Sequence, residues 1–181
     1  MCYNSPCRAM HFPLFIDLED KPCLVVGGGS VAMRKAAALS GFGARVVQIS
    51  PETCGRTFAD SDADGMALVV AATDDATVNA HVAALCKAKG IPVNVVDDPA
   101  NCTFLFPAIC RKGPMTVAVS SGGACPTAAK LVRDRASRLM PDDFVAEVER
   151  LGREREEMKK AFPNPDERRK KCEEALRRWN D

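Results

Sequence analysis

The sequence predicts an α/β fold built on a parallel, doubly wound sheet. Three observations carry this. Short apolar runs alternate with helical segments through residues 22–98. A glycine-rich turn follows the first apolar run and opens a helix. Beyond residue 101 the alternation gives way to β-rich runs and then to a charged helical tail, so a different segment follows the sheet.

The elements follow in order. PCLVVG, residues 22–27, is short and apolar, as a strand buried on both faces must be. SVAMRKAAALSG, 30–41, is rich in alanine, carries Arg34 and Lys35 on one face and stops at Gly41 and Gly43, which predicts a helix. ARVVQIS, 44–50, is the next strand. PETCGRTFADSDADG, 51–65, is polar and full of turn residues, so it reads as a loop with at most one helical turn. MALVVAAT, 66–73, is a third buried strand. DDATVNAHVAALCKAKG, 74–90, starts with aspartate caps and ends at Lys-Gly, so it is a helix with both end signals. IPVNVVDD, 91–98, is a fourth strand. Residues 102–121 hold two β-rich runs joined at RKGP, an antiparallel pair, and Pro126 then sits in the first turn of a helix. From 142 on, Phe144, Val145, Val148 and Leu151 recur at helical spacing, and Leu176 and Trp179 follow, giving two amphipathic helices broken at FPNPD.

Composition narrows the function. The 181 residues allow one domain or one and a half, 46% hydrophobic and 27% charged, as in a folded soluble protein. A net charge of +1 argues against a protein built to hold nucleic acid or an anionic membrane. The tail from 142 carries 12 acidic and 11 basic residues, well mixed, which reads as a solvated helix face. There is no apolar run of transmembrane length and no signal-peptide pattern at the start, so the expected location is the cytoplasm. The nine cysteines, Cys2, Cys7, Cys23, Cys54, Cys86, Cys102, Cys110, Cys125 and Cys172, form no C-x-x-C pair and lie near neither His11 nor His81 in a ligand pattern. Neither a metal site nor a disulfide framework is expected.

Three motifs carry chemistry. Gly27, Gly29 and Ala32 spell G-x-G-x-x-A: one glycine for the tight turn, one for close approach of a pyrophosphate, one small residue for helix packing. Ser30 and Val31 begin the helix whose free N–H groups face the phosphates. The alternative is a purely structural turn. The acid that usually ends the second strand is absent, since Gln48, Ile49 and Ser50 stand there and Glu52 lies further on. Arg45 and Arg56 are the nearby bases, so NAD and NADP are weakly distinguished. In NVVDDP, Asp97 and Asp98 lie at the carboxyl end of a strand, where an aspartate can accept a proton or cap a turn before Pro99. In VAVSSGGACPTAA, a strand ends in Ser-Ser-Gly-Gly ahead of a helix: an anion-binding nest, or a turn that needs glycine.

Together, GGGSVAMRKA, AATDDATVN, NVVDDP and VAVSSGG resemble the precorrin-2 dehydrogenase/sirohydrochlorin ferrochelatase family, the N-terminal half of siroheme synthase, from residue 12 nearly to the end. The resemblance implies a shortened Rossmann-like NAD-binding domain at 1–100, a strand-plus-helix dimerisation and substrate-cleft segment at 101–141, and a helical C-terminal part at 142–181. It implies NAD-dependent oxidation of precorrin-2 to sirohydrochlorin by a homodimer, with Fe²⁺ insertion as a second activity of some members. The implied catalytic residue is Asp97. The implied cofactor residues are Gly27, Gly28, Gly29, Ser30, Val31, Pro51, Glu52, Thr73 and Asp74, and the substrate residues Asn94, Ser121, Gly122 and Gly123. Arg111, Lys112 and Arg133 are candidates to meet the substrate's carboxylates. The chain departs from the family in one place: between 50 and 66 it is shorter by about one strand and its connection. That departure leaves a second reading open, a tetrapyrrole-binding module that has lost NAD and does no chemistry. The family's fused members carry a methyltransferase half that is absent from this sequence, so methylation is expected to be done elsewhere.

Overall fold

Pro22–Val26 (β1), Arg45–Ile49 (β2), Leu68–Ala71 (β3) and Val93–Val95 (β4) pair in parallel in the order β2-β1-β3-β4. The register sets Val26 beside Ile49 and Ala71, and Val70 beside Asn94. Ser30–Ser40 (α1) follows β1 and Ala76–Ala88 (α3) follows β3. The structure, a computed structural model, describes residues 11–179 and divides between Phe106 and Pro107 into two compact units. Cys2 and Cys7 lie outside the described residues.

The apolar runs are continuous because the two central strands are covered on both sides. Leu24, Val26, Val69, Ala71, Val93 and Val95 pack with Val82, Ala83 and Cys86 of α3. The alternate residues Cys23, Val25, Leu68 and Val70 pack with Ala32 and Leu39 of α1. Val69 and Val70, neighbours in sequence, are both fully buried on opposite faces, and each burial stabilises by about 1.5–3 kcal/mol. Both cysteines of these layers, Cys23 and Cys86, are small buried hydrophobes whose thiols burial pushes up.

Two expectations need correction. The fourth strand, expected over 91–98, covers only Val93–Val95, because Pro92 brings no N–H and the chain turns at Val96–Asp97, where Asp97 has φ +58° and Val96 N–H makes the last bond to β3, at Ala71 O. The segment 51–65 holds more local order than one helical turn. Pro51–Cys54 (α2) forms because the Ser50 hydroxyl accepts from Thr53 N–H, Pro51 fills the first position and Gly55 closes it in the left-handed region. A 3₁₀ turn, Asp60–Ala63, follows, with the Asp62 carboxylate accepting from Ala59 N–H and gripping Arg56 through both oxygens at 2.7 Å. No strand stands between β2 and β3, so β2 is an edge of the sheet. The α3 helix starts where Asp75 accepts from Thr77 N–H and Val78 N–H.

In the second unit, Ala108–Lys112 (β5) and Met115–Val119 (β6) form an antiparallel hairpin turned at Gly113, whose φ is +52°. Pro126–Arg138 (α4) packs on it, and Asp142–Arg153 (α5), Arg155–Ala161 (α6) and Pro165–Ala175 (α7) follow. The first tail helix is therefore split at Glu154, just after Gly152, a weak helix former. Phe144 meets Trp179 edge to face, with ring centroids 5.4 Å apart.

Candidate functional site

The turn after β1 is made by what its residues lack. Gly27 N–H donates to the Ile49 carbonyl at 2.8 Å, and its φ of +130° belongs to glycine. A Cβ there would run into the Ala72 carbonyl. A Cβ on Gly28 would come within 2.5 Å of the Glu52 carboxylate and the Ser50 hydroxyl. On Gly29 it would meet no protein atom within 4 Å. Gly29 is also the N-cap of α1, with no side-chain cap and no acid in the first turn, so the first N–H groups of the helix have no side-chain acceptor. Such a cradle, open at Gly29 and lined by a helix N-terminus, fits the pyrophosphate of a dinucleotide.

Gln48, at the usual place of the ribose acid, does another job: its Nε2 donates to the Gly27 carbonyl at 2.8 Å and braces the turn. An acid comes near the turn from α2 instead, Glu52. Glu52 lines a cavity of about 530 Å³ together with Gly27, Gly28, Gly29, Pro51, Thr73 and Asp74, all foreseen, and Ser50, Thr57, Phe58, Asp75 and Val78, which were not. Its own backbone N–H and the Ser50 hydroxyl hold the Glu52 carboxyl below the usual carboxylate range. An ionised carboxylate over Gly28 can accept from two ribose hydroxyls and disfavours a 2′-phosphate. Thr73 is pinned by Asn79, whose Oδ1 accepts from the Thr73 hydroxyl at 2.7 Å and from its N–H at 3.1 Å. Ser30 and Val31 open α1 and do not line the cavity.

The turn after β4 is made by side chains. Asp97 has φ +58°, a left-handed conformation that aspartate tolerates better than most residues, and it is exposed. Beneath it Cys102 Sγ accepts from Val95 N–H at 3.1 Å and donates toward the carbonyls of Val95 and Asp98. The buried Asn94 amide donates to Phe104 O at 3.0 Å and to Cys102 Sγ at 3.4 Å. Asp98 caps the 3₁₀ turn Pro99–Asn101, accepting from Asn101 Nδ2 at 2.7 Å. The two aspartates thus divide the two roles open to them: Asp98 caps, and the Asp97 carboxylate has no hydrogen-bond partner among the described residues. Asp97 does not line the 530 Å³ cavity.

In the second unit, Gly122 and Gly123 have φ of +60° and +79°, so the turn needs glycine. Ser120 Oγ accepts from Gly122 N–H and Ser121 Oγ from Cys125 N–H at 2.9 Å. Lys112 Nζ donates to Met140 O at 2.8 Å, and Arg133 pairs with Asp134 at 2.7 Å. Among the described residues no group of three or more His, Cys, Asp or Glu side chains could hold a metal ion.

The family model for NAD(P)-binding proteins, NAD_binding_7, matches residues 14–108. The siroheme synthase of Ectopseudomonas mendocina is 44% identical over 171 residues, which is 87% of this chain and 37% of that protein. That of Methylobacillus flagellatus is 41% identical over 172 residues, again 87% of this chain and 37% of the relative. The chain thus spans a little over a third of the length of these relatives. A solved structure titled "SirC, precorrin-2 dehydrogenase" superposes with a TM-score of 0.66 over 92% of this chain and 89% of that one, at 20% identity. At that identity the match speaks to the fold, which is the α/β, Rossmann-like fold expected from the sequence.

Proposed function

This chain belongs to the NAD(P)-binding family NAD_binding_7, and on that premise we propose that it is an NAD-dependent dehydrogenase oxidising precorrin-2 to sirohydrochlorin. The observation that carries the reading is the pairing of a glycine cradle with an aspartate whose carboxylate has no hydrogen-bond partner among the described residues, both at the carboxyl edge of one parallel sheet. The siroheme synthase relatives supply the substrate class, a carboxylate-rich tetrapyrrole.

When bound, NAD⁺ accepts the hydride that leaves the macrocycle. The chain's own work is to hold and to deprotonate. Gly27–Gly29 and the first turn of α1 hold the pyrophosphate, and Glu52 takes the ribose hydroxyls. Asp97 takes the proton that leaves with the hydride, its turn fixed by Cys102, Asn94 and Asp98. Ser121, Gly122 and Gly123 are the second unit's proposed contacts with the tetrapyrrole. Residues 101–141 then serve the cleft and the dimer, and 142–181 form the helical tail. The test is spectrophotometric turnover of precorrin-2 with NAD⁺. Conversion to sirohydrochlorin is expected, and an inactive wild type overturns the reading.

Iron insertion is the second activity of the proposal. Asp97 would accept the pyrrole N–H protons displaced by Fe²⁺, which enters as substrate. Co²⁺ insertion into sirohydrochlorin no faster than background rejects it. The homodimer belongs to the proposal too: α4 and the residue that caps it expose Leu131, Val132 and Leu139, at 52%, 51% and 77%, apolar surface suited to a second copy. No described helix is long and apolar enough to cross a membrane, and a cytoplasmic location completes the reading. One observation favours the non-catalytic alternative: the missing strand beside β2 shortens the wall where an adenosine would lie. Calorimetric titration with NAD⁺ separates the two, since stoichiometric binding excludes a module without cofactor.

A further inference from the structure

Lysine is out of place at position 35. Ala32, Ala36 and Leu39 form the face of α1 that packs on the sheet, with Ala32 and Leu39 buried. Lys35 falls three residues after Ala32 and four before Leu39, so it belongs to the same stripe, where an ammonium is costly to desolvate. The structure shows how the site tolerates it. The side chain is half-buried, and Nζ lies 3.6 Å from the centroid of the Phe106 ring, which is itself packed against Phe104. An aromatic face stabilises a cation without using its N–H donors. No carboxylate oxygen stands within 4.0 Å of Nζ among the described residues.

The surroundings say where this charge sits. Burial lowers the Lys35 pKa, helped by Arg34, while Cys102 and Asp97 pull it back up. The contacts lead to the same turn: Lys35 sits on Phe106, the Phe106 ring meets Phe104, and the Phe104 carbonyl accepts from the Asn94 amide at the base of the turn that carries Asp97. Lys35 differs from the basic residues of the second unit that sequence reasoning favoured: Lys112 donates to a backbone carbonyl and Arg133 to Asp134. A half-buried ammonium with spare donors, near the proposed base, is built to take a carboxylate from outside the chain.

We infer that Lys35, seated on Phe106, anchors a carboxylate side chain of the tetrapyrrole beside Asp97. The inference rests on the proposed function and adds a recognition residue that the motifs do not assign. It also explains why the helix after the glycine turn carries a charge on its inner face: α1 would serve the cofactor at its N-terminus and the substrate one and a half turns later.

The experiment measures Kd for sirohydrochlorin and for NAD⁺, and KM and kcat for precorrin-2, in the wild type, Lys35→Met and Lys35→Arg. Methionine keeps the apolar stem and the contact with Phe106 but removes the charge. Lys35→Met is expected to raise the sirohydrochlorin Kd and the precorrin-2 KM about tenfold or more, with the NAD⁺ Kd within about twofold and Tm unchanged. Lys35→Arg is expected to restore most of the tetrapyrrole affinity. If Lys35→Met binds sirohydrochlorin as the wild type does, or loses NAD⁺ and thermal stability in the same proportion, the anchor is overturned and the proposed function stands. If the wild type binds no sirohydrochlorin, the anchor and the function fall together.

Discussion

The turns after β1 and after β4 lie at the same carboxyl edge of one sheet, yet they are built in opposite ways. The first is defined by missing side chains: Gly27 lies against the Ala72 carbonyl, and Gly28 lies under Glu52. The second is defined by side chains that hold a strained aspartate in place: Asn94, Cys102 and Asp98. A site made by absence breaks when an atom is added. A site made by a network breaks when an atom is removed. The difference suits the work proposed for each turn: a pyrophosphate would come against backbone, whereas a carboxylate that accepts a proton must be held at one point.

The contrast is sharpest at Gly27. Gly27→Ala places a Cβ against backbone at a φ of +130°, so it should cost about 3 kcal/mol or more of stability in urea unfolding and abolish NAD⁺ binding. The matching change at the other turn subtracts. Asn94→Leu leaves the Phe104 carbonyl without its donor and should cost about 2 kcal/mol, with turnover falling more than NAD⁺ affinity. The smallest effect is at Glu52. Glu52→Gln should weaken NAD⁺ about tenfold and narrow the preference over NADP⁺, read by calorimetry. The carboxyl is held below its ordinary value of 4.5, so it stays ionised as pH falls through that value. Wild-type NAD⁺ affinity should therefore be flat from neutral pH down to that point and decline only below it, while Glu52→Gln shows no such decline.

The two turns also differ in how far the sequence revealed them. The glycine spacing, its position between a strand and a helix, and the aspartate cap of α3 are local, and local chemistry is readable along a chain. The parallel sheet follows from apolar runs that must be buried on both faces. The resemblance named Glu52, but the residues alone did not show how its carboxylate reaches the glycine turn. Glu52 reaches Gly28 only because Ser50, Pro51 and Gly55 close a one-turn helix in a segment that looks like loop. The residues of NVVDDP alone did not divide Asp97 from Asp98, and only the resemblance named Asp97, since the division depends on which carboxylate meets Asn101 and which residue takes a positive φ. Lys35 was visible as a residue on α1, but its inward place depends on Phe106, far along the chain. Cys102 reads as a small hydrophobe in sequence and acts as a hydrogen-bonding knot in the fold.

In the proposed function, cofactor binding and proton removal are separate jobs of separate turns. Asp97→Asn tests it most directly, because asparagine also tolerates the left-handed backbone at φ +58° and removes only the carboxylate. The NAD⁺ Kd and the precorrin-2 turnover rate of this variant would be measured side by side with the wild type. Turnover is expected to be about a hundredfold or more slower, with NAD⁺ affinity within about twofold. Full turnover in Asp97→Asn, or loss of NAD⁺ binding along with activity, would contradict it.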